Sequence, residues 1–191
     1  MVWISTPSTR CRIVLLPRQF STKLNQEVTV KEAAETDFGE IWGVFRSAQK
    51  EGRYAANARE NTALDAYYRA LLSSSGKRRL ITLAAQVQGK TVGYLTIEES
   101  IWDISQHVGE LGIAVLSDFR GIGIGAALLK SAIDEAPKKG FKKIELSVFH
   151  NNKRAIKLYR KFGFKKVGRK KRQFNVDGEY VDEIIMERFI G

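Results

Sequence analysis

The stretch Phe119–Lys130, FRGIGIGAALLK, alternates glycine with isoleucine behind an arginine and then becomes an apolar helical pattern. Glycine at 121, 123 and 125 removes the Cβ atoms that keep backbone N–H groups away from a ligand. A helix starting there adds the positive end of its dipole, so the turn suits an anion. A nucleotide P-loop needs Gly-x-x-x-x-Gly-Lys-Ser/Thr, and no Gly-Lys-Ser/Thr follows in this stretch. The dinucleotide fingerprint Gly-x-Gly-x-x-Gly/Ala is formally met by Gly121, Gly123 and Ala126. That turn should follow its strand at once, yet SDFR (117–120) intervenes. It also wants an acid at the end of the next strand, where Phe149, His150 and Asn151 stand. Both readings fail. A third pattern, Arg/Gln-x-x-Gly-x-Gly/Ala, is satisfied by Arg120, Gly123 and Gly125.

Working outward, HVGELGIAVL (107–116) reads as the strand ahead of the turn, and the helix behind it ends near Pro137 and Gly140. FKKIELSVFH (141–150) is strand-like, NNKRAIKLYRKFG (151–163) helix-like and FKKVGRKKRQF (164–174) again strand-like. An Asp-Gly turn in NVDGEY then leads to a last strand, YVDEIIMERFI (180–190). Upstream, VTVKEA (28–33) alternates like a strand, and Thr36 or Asp37 offers an N-cap for FGEIWGVFRSAQK (38–50). A second helix is expected over NTALDAYYRALLSS (61–74). Two strands, 79–88 and 90–100, follow as a hairpin at Gly89-Lys90. Strand, two helices, three strands, helix, strand, helix and two strands make a mixed α/β (α+β) domain.

The 191 residues suit one such domain over 28–191, preceded by a basic arm over 1–27. Residues 1–26 contain no acid and carry Arg10, Arg12, Arg18 and Lys23. The composition resembles an organellar transit peptide, with a basic arm, RIVLL as an extra strand, as the preferred reading. No apolar run approaches a bilayer-spanning length, so a soluble, cytoplasmic protein without a membrane partner is expected. One cysteine, Cys11, allows no internal disulfide, and without a nearby histidine it is a poor acyl carrier. A net charge of +11 favours anionic partners. The absence of a recognisable nucleic-acid-binding motif counts against nucleic acid. The cluster KKVGRKKR (165–172) reads either as a solvated face or as a patch for acidic peptides or a nucleic-acid-bound target.

On Arg120, Gly123 and Gly125, with three further matches, the chain resembles the GNAT superfamily of acetyl-CoA-dependent N-acetyltransferases. The strand LGIAVLSDF lies ahead of the arginine. Asn152-x-x-Ala155-x-x-Leu158-Tyr159 lies one strand later, and KFGF (161–164) follows it. The resemblance covers roughly 28–190. It implies a mostly antiparallel central sheet flanked by helices, with a V-shaped splay between its two central strands. It also implies acetyl-CoA as co-substrate and no metal. Ile113 and Val115 would offer backbone groups to pantetheine. Arg120, Gly121, Gly123, Gly125 and Ala126 would surround the pyrophosphate, and Asn152 would cap its helix and contact the coenzyme. Tyr159 would be the acid that protonates the departing thiolate.

A primary amine is mostly protonated at neutral pH, so a base must take its proton before it attacks the thioester. At the positions where the family often holds that base, this chain has Gly109 and Ser147. Glu110, turned inward by a strand bulge or acting through water, is the expected substitute, with Glu145 next; His107 and His150 are disfavoured. The segments LYRKFGF and EYVDEIIME look most like the protein N-terminal-amine and ribosomal-protein branch. A protein or peptide amine is therefore the expected acceptor, attacking directly in a ternary complex. The alternatives are a polyamine-type small amine and a non-catalytic coenzyme A-binding regulatory module. Whether the chain acts as a monomer or a homodimer is open.

Overall fold

The computed structural model describes residues 17–51 and 79–191. Eight strands form one sheet: β1 Arg18–Ser21, β2 Glu27–Glu32, β3 Leu80–Val87, β4 Lys90–Glu99, β5 Val108–Val115, β6 Lys143–Phe149, β7 Lys165–Val176 and β8 Glu179–Phe189. Their order is β1-β2-β3-β4-β5-β6-β8-β7. The described helices are α1 Phe38–Lys50, α2 Ile124–Glu135 and α3 Lys153–Lys161. Every strand pairing is antiparallel except β5–β6. The expected mixed α/β order is therefore present. The expected second helix over 61–74 and the RIVLL strand lie outside the described residues.

Local chemistry accounts for the tight turns. Gln88 and Gly89 both take positive φ (50° and 78°), as do Asp177 and Gly178 (51° and 88°). Two consecutive left-handed residues match the right-handed twist of a hairpin. The first turn is Gln88-Gly89 rather than Gly89-Lys90, because Lys90 already pairs with Val87. Asp37 precedes α1, but its carboxylate turns back, accepting from the Ala34 N–H and from Lys31 Nζ, each at 2.8 Å. Arg18–Ser21, which the sequence places in the basic arm, is the edge strand. Its Arg18 guanidinium reaches Asp134 (2.7 Å) and Glu135 (3.2 Å) on α2.

The main core lies between the sheet and α2 with α3, around Leu95, Ile97, Leu128, Leu129, Phe141 and Ile144. A smaller cluster of Ile41, Val44, Ala84 and Tyr94 fixes α1 to the other face. Side-chain alternation then sorts β5. Leu111, Ile113 and Val115 join the main core, whereas Ala114 joins the α1 cluster. Gly109 shares the main-core face. A Cβ there would lie 2.4 Å from Ile97 Cγ2 and 3.0 Å from Phe141 Cδ1.

The parallel pairing of β5 with β6 covers only Val108–Glu110 against Lys143–Glu145. Beyond it, β5 stays paired to β4 as far as Val115, and β6 to β8 as far as Phe149. The two central strands therefore part company, which is the expected splay. Among the described residues no helix is long and apolar enough to cross a membrane.

Gly109→Ala should destabilise the fold by about 1–3 kcal/mol, since the Ile97 methyl has to shift in a filled core. Gly43→Ala, on the exposed side of α1 with nothing within 4 Å of the added carbon, should stabilise it by about 0.5–1 kcal/mol. Urea denaturation of both variants checks the pair.

Candidate active site

The splay leaves one strand edge open. Leu116 donates its N–H to the Val92 carbonyl, and the Val108 carbonyl accepts from Ser100, so even-numbered residues of β5 turn their backbone groups toward β4. The N–H and C=O of Ile113 and the N–H of Val115 consequently face the gap where β6 has moved away. The chain next makes a short 3-10 turn, Ser117–Phe119, and enters the glycine loop. Gly121 and Gly123 both take positive φ (87° and 120°). Among the described residues no acceptor meets the N–H groups of Gly121, Ile122, Gly123, Ile124 or Gly125; Ala126 is the first to bond, to the Gly123 carbonyl at 3.0 Å. A Cβ at Gly123 would meet nothing within 4 Å. Five successive N–H groups without an acceptor among the described residues, at the N-terminus of α2 and with open space at Gly123, suit an anion cradle.

Arg120 is placed differently from expectation. Its Nε donates to the Val115 carbonyl at 2.7 Å, and its two terminal nitrogens grip the Glu51 carboxylate at 2.6 and 2.7 Å. The guanidinium ties the loop to the end of α1 instead of pointing into the cradle. Arg154, which sequence reasoning missed, stands there instead. Its Nη2 would lie 1.7 Å from a Cβ on Gly121. The signal was available: Lys153 and Arg154 sit in the first turn of α3 with no acid, against the helix dipole, unless an anion is bound nearby. Asn152 caps the same helix, its Oδ1 accepting the Ala155 N–H at 3.1 Å.

Tyr159 is buried, its ring tilted against Phe164 at 5.9 Å, and its hydroxyl has no hydrogen-bond partner among the described residues. Burial pushes its phenol well above the usual tyrosine range, so it keeps its proton.

The acidic candidates share the α1 face. Glu110 pairs in register with Glu98 on β4 and Glu145 on β6, and Glu145 with Glu187 on β8, which sets four glutamates in one rung. Lys143 Nζ stands 3.3 Å from Glu145 and 3.4 Å from Glu187. Burial works to lower its pKa, but the bonds and charges of these two carboxylates outweigh it and raise the ammonium above its ordinary value. Glu145 is thus neutralised by Lys143. Glu110 is exposed and forms no ion pair among the described residues. No bulge interrupts β5 against β4, so Glu110 reaches this face by plain alternation. Gly109 faces the core, where a base would be of no use, and Ser147 lies exposed on the glutamates' face. The Nδ1 of His150 is taken by the Asp182 N–H at 3.1 Å, and His107 lies exposed in the loop between β4 and β5. Among the described residues no group of three or more potential ligands could hold a metal.

Residues 32–164 match the model of the acetyltransferase (GNAT) family. The chain belongs to the GNAT family. An L-amino acid N-acetyltransferase of Escherichia coli is 37% identical over 107 residues, 56% of this chain and 66% of that one. A putative [ribosomal protein bS18]-alanine N-acetyltransferase of Bacillus subtilis is 29% identical over 122 residues, 64% and 75% of the two chains. The crystal structure of a GNAT-family acetyltransferase from Streptococcus pneumoniae superposes with a TM-score of 0.78 at 25% identity, over 86% of this chain and 99% of that one. This GNAT protein thus shares its overall fold with that acetyltransferase.

Gly123→Glu would put a carboxylate and a strained backbone into the cradle. Acetyl-CoA affinity should fall at least ~10-fold in calorimetry while the protein stays folded. Arg154→Ala should also weaken acetyl-CoA, by about 1–3 kcal/mol, the scale of one charge-assisted bond. Unchanged affinity in Gly123→Glu would overturn the assignment of the cradle.

Proposed function

We propose that this GNAT-family N-acetyltransferase moves the acetyl group of acetyl-CoA to a protein or peptide amine by direct attack in a ternary complex, in the cytoplasm. The cradle of five orphan N–H groups beside the open edge of β5 carries the reading. The pyrophosphate would take the Gly121–Gly125 and Ala126 turn, with Arg154 above it, and pantetheine the edge of Ile113 and Val115. Arg120 would hold the loop in shape, and Asn152 would set the start of α3 beside it.

In the reaction the amine nitrogen attacks the acetyl carbonyl carbon, and the carbon–sulfur bond breaks once the tetrahedral intermediate collapses. Glu110, exposed and without an ion pair among the described residues, takes the proton that the amine sheds. A backbone N–H on the open edge stabilises the oxyanion. Tyr159 serves the sulfur. Its raised pKa keeps it a donor, yet the same burial makes full transfer to a thiolate of ordinary pKa near ~8.5 uphill. A hydrogen bond from the phenol to the departing sulfur is therefore its contribution, with the final proton arriving from water.

The glutamate rung favours a cationic acceptor over a neutral one. The E. coli relative supports a second reading, a small amine or amino acid, as acceptor. Thiol release from acetyl-CoA, screened with peptides, amino acids and polyamines, separates the two; no release with any amine would leave a coenzyme-binding regulatory module.

With an active acceptor in hand, Tyr159→Phe should lower turnover by ~10²-fold, the scale of a lost positioned donor, and leave acetyl-CoA affinity and melting temperature almost unchanged. Near-normal turnover would make Tyr159 a core aromatic only. Glu110→Gln removes the base, so the variant depends on amine already deprotonated in solution. Its deficit should be greatest at low pH and shrink as pH rises; a pH–rate profile parallel to the parent protein's would discard Glu110.

A further inference from the structure

The charge of +11 is not spread over the chain. Residues 150–176 hold eleven lysines and arginines and no aspartate or glutamate, so the rest of the chain is balanced. Five of the eleven lie on α3 and six on β7, and all are exposed. Arg169 pairs with Asp182, and Lys170 with Glu183 at 2.8 Å. The other nine form no ion pair among the described residues. Arg172 rests over the Tyr180 ring at 5.6 Å.

β7 is the last strand of the sheet, and its cations wrap around that edge. Lys166 and Arg169 lie opposite Met186 and Ile184, on the face that carries α3. Lys165 and Lys170 lie opposite Glu187 and Glu183, on the other face. From Lys165 to Arg172 the cations run about 25 Å along β7. So many like charges repel one another, and solubility does not require them all on one rim. Acetyl-CoA does not account for all eleven: it brings about four negative charges, and the guanidinium that meets the glycine loop at Gly121 is that of Arg154.

We infer that α3 and β7 form a docking surface for RNA, gripped through its phosphate backbone. A row of exposed cations along one strand and the neighbouring helix complements a run of phosphates. An acidic peptide would need apolar anchors as well, and on β7 between Lys165 and Arg172 the one exposed large hydrophobic residue is Val167. Reading base edges in the DNA major groove takes a projecting helix, whereas α3 is held down by buried Tyr159 and β7 is paired along β8, so the grip is on phosphates and a DNA duplex is the control for RNA. An A-form duplex, with its shallow minor groove and flanking phosphates, can be met by side chains on a surface. This inference is independent of which amine is acetylated.

The test is fluorescence anisotropy of the full chain with a labelled RNA duplex of about 20 base pairs. About six phosphate contacts should make the affinity fall ~10³-fold between about 50 and about 200 mM KCl. Replacing Lys165, Lys166, Lys171 and Arg172 together by serine should lower the affinity at least ~10-fold at the lower salt and cut the salt slope by about three. Acetyl-CoA affinity, read by calorimetry on the same variant, should not change, which shows that it is folded and keeps the coenzyme site out of the result. Absence of saturable RNA binding, or equal binding by the variant, would overturn the surface. Equal affinity for a DNA duplex of the same length, or displacement of the RNA by polyglutamate at equal charge, would overturn the choice of RNA.

Discussion

Everything at the candidate site follows from how briefly β5 and β6 are paired. Three residues on each strand share hydrogen bonds, and then the strands separate while each keeps its other neighbour. An unpaired strand edge in the middle of a sheet is costly unless something meets its N–H and C=O groups. Here the outer pairings, β4 on one side and β8 on the other, hold the gap open. The gap therefore supplies Ile113 and Val115 as ready hydrogen-bonding groups. The glycine loop follows β5 after one short 3-10 turn, Ser117–Phe119, so the chain that forms the open edge also leads into the loop. Buried Gly109 keeps the joint tight at the root of the splay, where Ile97 and Phe141 leave no room for a side chain.

Charge is segregated around this joint. Toward the α1 face the sheet carries a rung of glutamates, tempered by Lys143; toward α3 and β7 it carries exposed cations with few acids to answer them. Arg120 shows how the same chemistry also serves structure. Its guanidinium spends its bidentate geometry on Glu51, which ties the loop to the helix on the other face of the sheet.

The sequence by itself determined the order of elements from β2 onward, because each of those follows from a local cause, whereas Arg18–Ser21 became a strand only by pairing with β2. Period-two alternation marks β2, apolar helical spacing marks α2, and an Asp-Gly turn joins β7 to β8. The glycine loop was legible for the same reason, since glycine spacing before a helix is a local constraint on φ. What only the tertiary structure decided concerns direction. Alternation says that Gly109 and Glu110 face opposite ways but not which face is the core; that depends on which helix covers which side. Arg120 looked like a phosphate ligand from its place before the glycines, yet its partner, Glu51, comes from a helix 69 residues away in sequence. Arg154 came to the loop, and Glu145 to Lys143 and Glu187, through strand order and register, which sum contacts over the whole sheet and leave no mark in any short stretch of chain.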